Sequence, residues 1–435
     1  ALVFPLLVPK YFIGFSYLSF LQDLNWQYLE GVRFFLLSNP RLLLILCLTF
    51  SLFPYVLLAS LVALNQEKKS LQEAAFCVGA KKIDVFLSIT LPQLKSFVIP
   101  ASFLVFFEAY GDFATANILG VQTLSTSVYK IWSGFFSLQT ASQLASFIVI
   151  GSVFFYFCEA FVFKPGNEAN PEQKIELSRP SFIVQVALFF SVFFLFFLSS
   201  VIPVLSMINL SFDSYFFSTQ ELLAPFFSSF SLSFLGALII VCSAFFWVYL
   251  KNISSWKILG FLTHLLRFGY AVPAIIVSVG VLFVLQNSFL NNNLFSHGLS
   301  SSVFALLFGL MSRYFIVGFN YLDGSSSSVS SFFIDAAKVS GASSKDIVFH
   351  IYYPLMRRSI IVSFFVVAID IFKELPIILL NRPVGWDTVS VKIFHYVSEG
   401  EWNHASFLCL ISTLVCVSFF LLISFLKKEK KEVFA

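Results

Sequence analysis

Two pairs of carboxylates stand in stretches where a chain this apolar has few charges. Glu108 and Asp112 are four residues apart, and so are Asp370 and Glu374. On a helix that spacing puts both acids of a pair on one face, one turn apart. A carboxylate at membrane depth is costly, so it faces protein or water rather than lipid. The chemistry open to such a set is oxygen ligation of a hard, highly charged cation along a pathway. The structural alternative is helix-end hydrogen bonding, with Lys373 neutralising a neighbour. Tyr110, Asn117, Asn381 and Arg382 are the nearby secondary candidates.

The pairs are copies of one another. An offset of 262 positions joins Glu108 to Asp370 and Asp112 to Glu374, and also Asp84 to Asp346, Thr126 to Thr388 and Lys130 to Lys392. Upstream, the same offset repeats a polar stretch between two apolar runs. Glu73-Ala74-Ala75-Phe76-Cys77-Val78-Gly79 is followed after nine residues by Ile89-Thr90-Leu91-Pro92. Its copy is Asp335-Ala336-Ala337-Lys338-Val339-Ser340-Gly341, with Ile351-Tyr352-Tyr353-Pro354 after the same gap. The pattern predicts two short helices with a sharp bend, Gly79 and Gly341 taking the left-handed conformation at the joint. The paired alanines leave the backbone open to close approach by another surface. Glu73 and Asp335 either orient the short helix at an interface or complement a helix dipole from its first turn.

These stretches resemble the EAA loop of the membrane subunits of ABC importers. The second copy departs in having Asp335 for Glu and Tyr353 for Leu. The chain as a whole resembles the fused, two-copy permease of bacterial ferric-iron ABC importers, with the fused thiamine permease next. The iron-type likeness rests on Glu108-Ala-Tyr-Gly-Asp112-Phe, Phe372-Lys-Glu-Leu-Pro376, Arg382-Pro383 and Asp387-Thr388. The resemblance implies ATPase coupling at Glu73, Ala74, Ala75, Gly79 and Pro92, and at Asp335, Ala336, Ala337, Gly341 and Pro354. It implies a cytoplasmic ATPase pair, a periplasmic binding protein, and ATP held by the partner rather than by this chain. The acids Glu108, Asp112, Asp370 and Glu374 would line the substrate pathway and touch Fe3+ in transit.

Composition agrees with an all-α polytopic membrane protein. The 435 residues are 58% hydrophobic and 11% charged, with 60 Phe, against about 25% charged in soluble domains. Apolar runs of about 20 residues recur, giving spans near 1–21, 41–64, 97–111, 143–163, 182–206, 226–250, 265–286, 300–322, 359–380 and 405–426. If the basic tail is cytoplasmic, the loops on its side hold 19 Lys and Arg against 5 opposite. Positive residues stay inside, so both repeated loops and the C-terminus are expected on the cytoplasmic face of an inner membrane. The net charge of +4 lies in loops and points to no nucleic acid.

The expected organisation is a first repeat over 1–163 with its loop at 65–96, a linker at 164–181, a second repeat over 182–426 with its loop at 323–358, and a tail at 427–435. Val8-Pro9 parallels Val272-Pro273, so the first repeat has four spans where the second has six. A six-plus-six arrangement is the expected complete form, and even numbers make the repeats parallel rather than inverted. No Gly-x-x-x-x-Gly-Lys-Ser/Thr phosphate loop and no His-Glu-x-x-His occur, which argues against an enzyme. The six cysteines have no framework spacing and read as small apolar residues. An ion-coupled secondary carrier is the alternative of another class, and matched docking loops argue against it.

Overall fold

The computed structural model describes residues 2–23, 30–65, 69–162, 181–212, 219–254, 256–287, 302–326, 329 and 331–432. All of the expected linker at 164–181 except Ser181 falls outside them. Helices account for the ordered elements and no strand occurs among the described residues. In a membrane this follows from the backbone, since a helix satisfies its own N–H and C=O groups.

The helices used below are α1 (Lys10–Asp23), α2 (Pro40–Asn65), α3 (Lys69–Cys77), α4 (Leu91–Tyr110), α5 (Leu124–Phe135) and α6 (Leu138–Val162). They continue with α7 (Phe182–Phe196), α8 (Thr219–Ile253), α9 (Lys257–Ala271), α10 (Ala274–Asn287) and α11 (Val303–Ser326). The chain ends with α12 (Ser331–Val339), α13 (Tyr353–Phe372), α14 (Pro376–Asn381), α15 (Val389–Glu399) and α16 (Trp402–Glu432).

Among the described residues, seven helices are long and apolar enough to cross a membrane, over 40–64, 82–110, 138–159, 182–211, 223–253, 303–326 and 402–425. An eighth expected span, 265–286, is two helices: α9 and α10 meet at Val272-Pro273 with a bend of 112°. Val272 is extended, with ψ 130°, as the residue before a proline prefers. The expected span at 359–380 begins earlier, as α13, and stops at Phe372. Lys373-Glu374-Leu375 breaks it before Pro376 opens α14. The expected span at 1–21 is a single 3-10 turn at Phe4–Leu6 followed by the 14-residue α1.

Close contact divides the described chain into two compact units, residues 1–121 with 149–206, and residues 122–148 with 207–435. They do not coincide with the sequence repeats. In the first unit α2 packs on α4 and α1 on α2. The Tyr17 hydroxyl donates to the Leu198 carbonyl, and the Ser206 hydroxyl to the Ser16 carbonyl at 3.1 Å. The opening helix of the second repeat is thus held in the first unit. In the second unit α8, α11 and α13 form the core, and α5, from the first repeat, packs on α10. Small residues bring these helices together. Gly318 on α11 faces Ile240, Val367 and Ser363, and the Ser363 hydroxyl donates to the Gly318 carbonyl. Membrane helices rely on such close approach because lipid removes the hydrophobic drive between them.

Among the described residues, three π-helical segments occur, at Phe86–Thr90, Phe197–Val201 and Ile347–Tyr352. Each ends two residues before a proline: Pro92, Pro203 or Pro354. Proline lacks an N–H and clashes with the carbonyl four residues back. Widening the preceding turn relieves both. Pro54 and Pro100 sit inside α2 and α4 without such a segment.

Candidate functional site: twin hinged loops and paired carboxylates

The two repeated loops fold alike. α3 and α12 each end in a left-handed glycine, Gly79 at φ 88° and Gly341 at φ 81°. The Gly79 N–H donates to the Phe76 carbonyl and the Ala80 N–H to that of Ala75, both at 3.0 Å. Gly341 donates to Lys338, and Ala342 to Ala337, also at 3.0 Å. This is a Schellman closure written twice, satisfying helix-end carbonyls that would otherwise face water. Asp84 and Asp346 cap the next helical segment. The Lys81 N–H donates to Asp84 Oδ2 at 3.2 Å, and the Ser343 N–H to Asp346 Oδ2 at 2.9 Å. The Ser343 hydroxyl donates to the same oxygen at 2.6 Å. These bonds, the hydroxyl's foremost, hold the Asp346 carboxyl below the usual carboxylate range.

Exposure also repeats. Glu73, Ala74, Gly79 and Pro92 are exposed and Ala75 half-buried; Asp335, Ala336, Gly341 and Pro354 are exposed and Ala337 half-buried. Val78, one residue before its glycine, and Val339, two residues before its own, are 89% and 90% exposed. Glu73 and Asp335 lie at mid-helix, and neither helix has an acid in its first turn. The dipole role considered for them therefore does not apply, because that effect fades beyond the first turn.

Each acid pair sits where a long helix gives way to a short one, and the two acids of a pair divide their work in the same manner. The first takes a lysine. Lys10 forms an ion pair with Glu108 and also donates to its carbonyl at 3.2 Å; Lys373 lies 2.8 Å from Asp370. The second caps the following short helix. Asp112 accepts from the Ala116 N–H at 3.1 Å and the Thr115 hydroxyl at 3.0 Å. Glu374 accepts from the Ile377 N–H at 3.2 Å and from the Tyr314 hydroxyl. Glu108, Asp112 and Glu374 are buried and Asp370 is half-buried. In this state the acids make the helix-end bonds of the structural alternative. Among the described residues no three His, Cys, Asp or Glu side chains converge as a resident metal site.

The secondary candidates separate. Tyr110 stacks on Phe106 and meets Phe155 edge-on. Asn117 lies in the short helix Ala114–Ile118. Asn381 is buried, its amide donating to the Ile377 carbonyl at 3.1 Å. Arg382 pairs with Asp387, which Lys392 approaches to 3.5 Å, and lies 3.2 Å from His395 Nε2. Burial, and then the Arg382 charge, push the His395 imidazole below its ordinary pKa.

Sequence reasoning assigned Arg313 no role. It is buried on α11, and its Nη1 donates to the Val272 carbonyl at 2.8 Å, at the corner between α9 and α10. Its guanidinium lies 5.1 Å from the Tyr270 ring. A cation at a helix C-terminus is favourable. The signal available was an arginine inside an apolar run, which requires a partner, and an in-span Val-Pro step.

The fold and these sites together define a polytopic helical membrane protein built from a duplicated unit with one exposed hinged loop per copy. The sequence matches the binding-protein-dependent transport system inner membrane component family over residues 2–164 and again over 249–428. The chain belongs to that family. It is also 23% identical to an Fe(3+)-transport system permease protein, FbpB 2, of Haemophilus influenzae, over 93% of this chain and 78% of that protein.

Proposed function

We propose that this chain is the transmembrane path of an ATP-driven importer. A periplasmic binding protein delivers the cargo, and two cytoplasmic ATPase subunits each grip one of the hinged loops, α3 with its turn and α12 with its turn. The observation that carries this reading is the twin exposed loop with the same closure, the same cap and the same exposed residues. A carrier driven by an ion gradient has no use for two such surfaces. The excess of Lys and Arg on the loop side, 19 against 5, supports a cytoplasmic position for both loops and for the C-terminus. ATP binding elsewhere draws the loops together, and the helices that carry them alternate between inward and outward access.

Ferric iron is the cargo we propose, on two grounds. One is the likeness to a protein named for Fe(3+) transport. The other is the carboxylate set, whose oxygens suit a hard trivalent ion. Glu108 and Asp370 hold lysine ammonium groups in the state described. A passing trivalent cation competes for the same oxygens, so cargo transit exchanges one cation for another without leaving a buried charge uncompensated.

The test is reconstitution of the full chain with its ATPase and binding protein in proteoliposomes, followed by uptake of radiolabelled ferric iron. Uptake is expected only with ATP inside and loaded binding protein outside. Uptake that persists with an inactivated ATPase would show an ion-coupled carrier instead. Transport of thiamine but not iron would remove the cargo assignment and leave the mechanism standing.

A further inference from the structure

Two neighbouring residues on α11 reach two different breaks in the helical scaffold. Arg313 binds the Val272 carbonyl at the 112° corner between α9 and α10. Tyr314 binds Glu374 at the break between α13 and α14. Successive residues on a helix point about 100° apart, so one turn of α11 holds both breaks at once. Both side chains are buried, at 7% and 6% exposure. The contact at the corner is tight: a Cβ on Gly269 would lie 2.4 Å from the Ser312 carbonyl oxygen. On the other side Gly309 of α11 packs against Ile377 of α14.

The same helix leads into the second hinged loop. α11 ends at Ser326 and α12 starts at Ser331. The first half has no equivalent: the 262 offset reaches Ser51 and Leu52, and the offset of 264 that joins Val8-Pro9 to Val272-Pro273 reaches Thr49 and Phe50. There the lysine of α1 does the holding, through Glu108.

We infer that Arg313 and Tyr314 are positioning residues that convert displacement of the α12 loop into movement of the α9–α10 corner and of the Glu374 break. α11 is the rod between them. The inference rests on the proposal that an ATPase grips the α12 loop. The two side chains then act on transport without touching the ATPase. Loss of either bond leaves the loop free to move while the breaks stay behind, so ATP is hydrolysed with less cargo moved.

The experiment uses the full chain with its ATPase and binding protein in proteoliposomes, comparing wild type with Tyr314→Phe, Arg313→Met and the control Ser51→Ala. Three quantities are read: ATPase retained on purification, ATP hydrolysed, and ferric iron taken up. Both test variants are expected to keep the ATPase and hydrolyse within about twofold of wild type, while iron moved per ATP falls about tenfold. Ser51→Ala keeps the wild-type ratio. Tyr314→Phe removes one hydroxyl and keeps the ring, so it decides the matter even where Arg313→Met fails to assemble. An unchanged ratio in Tyr314→Phe, or a loss shared equally by hydrolysis and uptake, overturns the inference. Wild type that holds no ATPase at all would instead defeat the underlying reading.

Discussion

Lys10→Met is expected to destabilise the protein by about 3 kcal/mol, the cost of leaving a buried carboxylate without its partner. Glu108 is 8% exposed, and its carboxylate loses the ammonium that also bonds its own carbonyl. An exposed pair would cost under about 1 kcal/mol, so burial decides the size of the effect. The analogous Lys373→Met acts on a pair in which each side chain is 22% exposed, and a cost nearer about 1 kcal/mol follows. Thermal unfolding of the purified protein in lipid nanodiscs reads both. Adding Glu108→Gln to Lys10→Met should recover most of the loss, because no unpaired charge then remains. Equal effects at the two lysines, or no recovery in the double variant, would mean that these pairs do not stabilise their breaks as described.

Gly79→Val combined with Gly341→Val is expected to weaken ATPase binding while leaving the membrane-spanning body folded. A β-branched residue at φ near 80° costs about 1–2 kcal/mol per site, and relief by a change of φ breaks the paired closure bonds of Ala75 and Ala337. A β-carbon placed on either glycine would have no neighbouring atom within 4 Å. The effect is therefore conformational rather than a clash. Retention of the ATPase on purification should drop at least about tenfold if the combined cost of roughly 2–4 kcal/mol falls on the docking-competent form. Each single variant should give an intermediate value, since the loops carry the same closure. Full retention in the double variant would show that the left-handed joint is not needed for docking.

The loops are legible in the sequence because their chemistry is local. A glycine six residues after an acid, and a proline after a fixed gap, specify a bend and a break through backbone sterics alone. Repetition at one offset removes the remaining ambiguity. The acid pairs are legible as special residues, but their use is not. Both roles considered, pathway and helix end, predict the same residue types, and only the folded chain shows Ala116 and Ile377 donating to Asp112 and Glu374. The α9–α10 corner reads from sequence as a single span at 265–286, because membrane helices tolerate proline and hydropathy carries no direction. What turns Pro273 from a kink into a corner is tertiary: Arg313 on the Val272 carbonyl and Gly269 against Ser312. The assignment of 122–148 to the second unit and of 182–206 to the first depends on which helix packs on which. Apolar faces of similar composition do not encode that choice in a readable way.

Two hinged loops on the cytoplasmic side, each gripped by an ATPase subunit, form the core of the proposed mechanism. Cysteines placed at Ala74 and Ala336, both exposed, in a chain with its six native cysteines replaced, test that directly through cross-linking in the intact complex. Both positions should cross-link to the ATPase and react with a membrane-impermeant thiol reagent only from the cytoplasmic side. Labelling of one or both from the periplasmic side, or an intact complex that cross-links at neither, would contradict it.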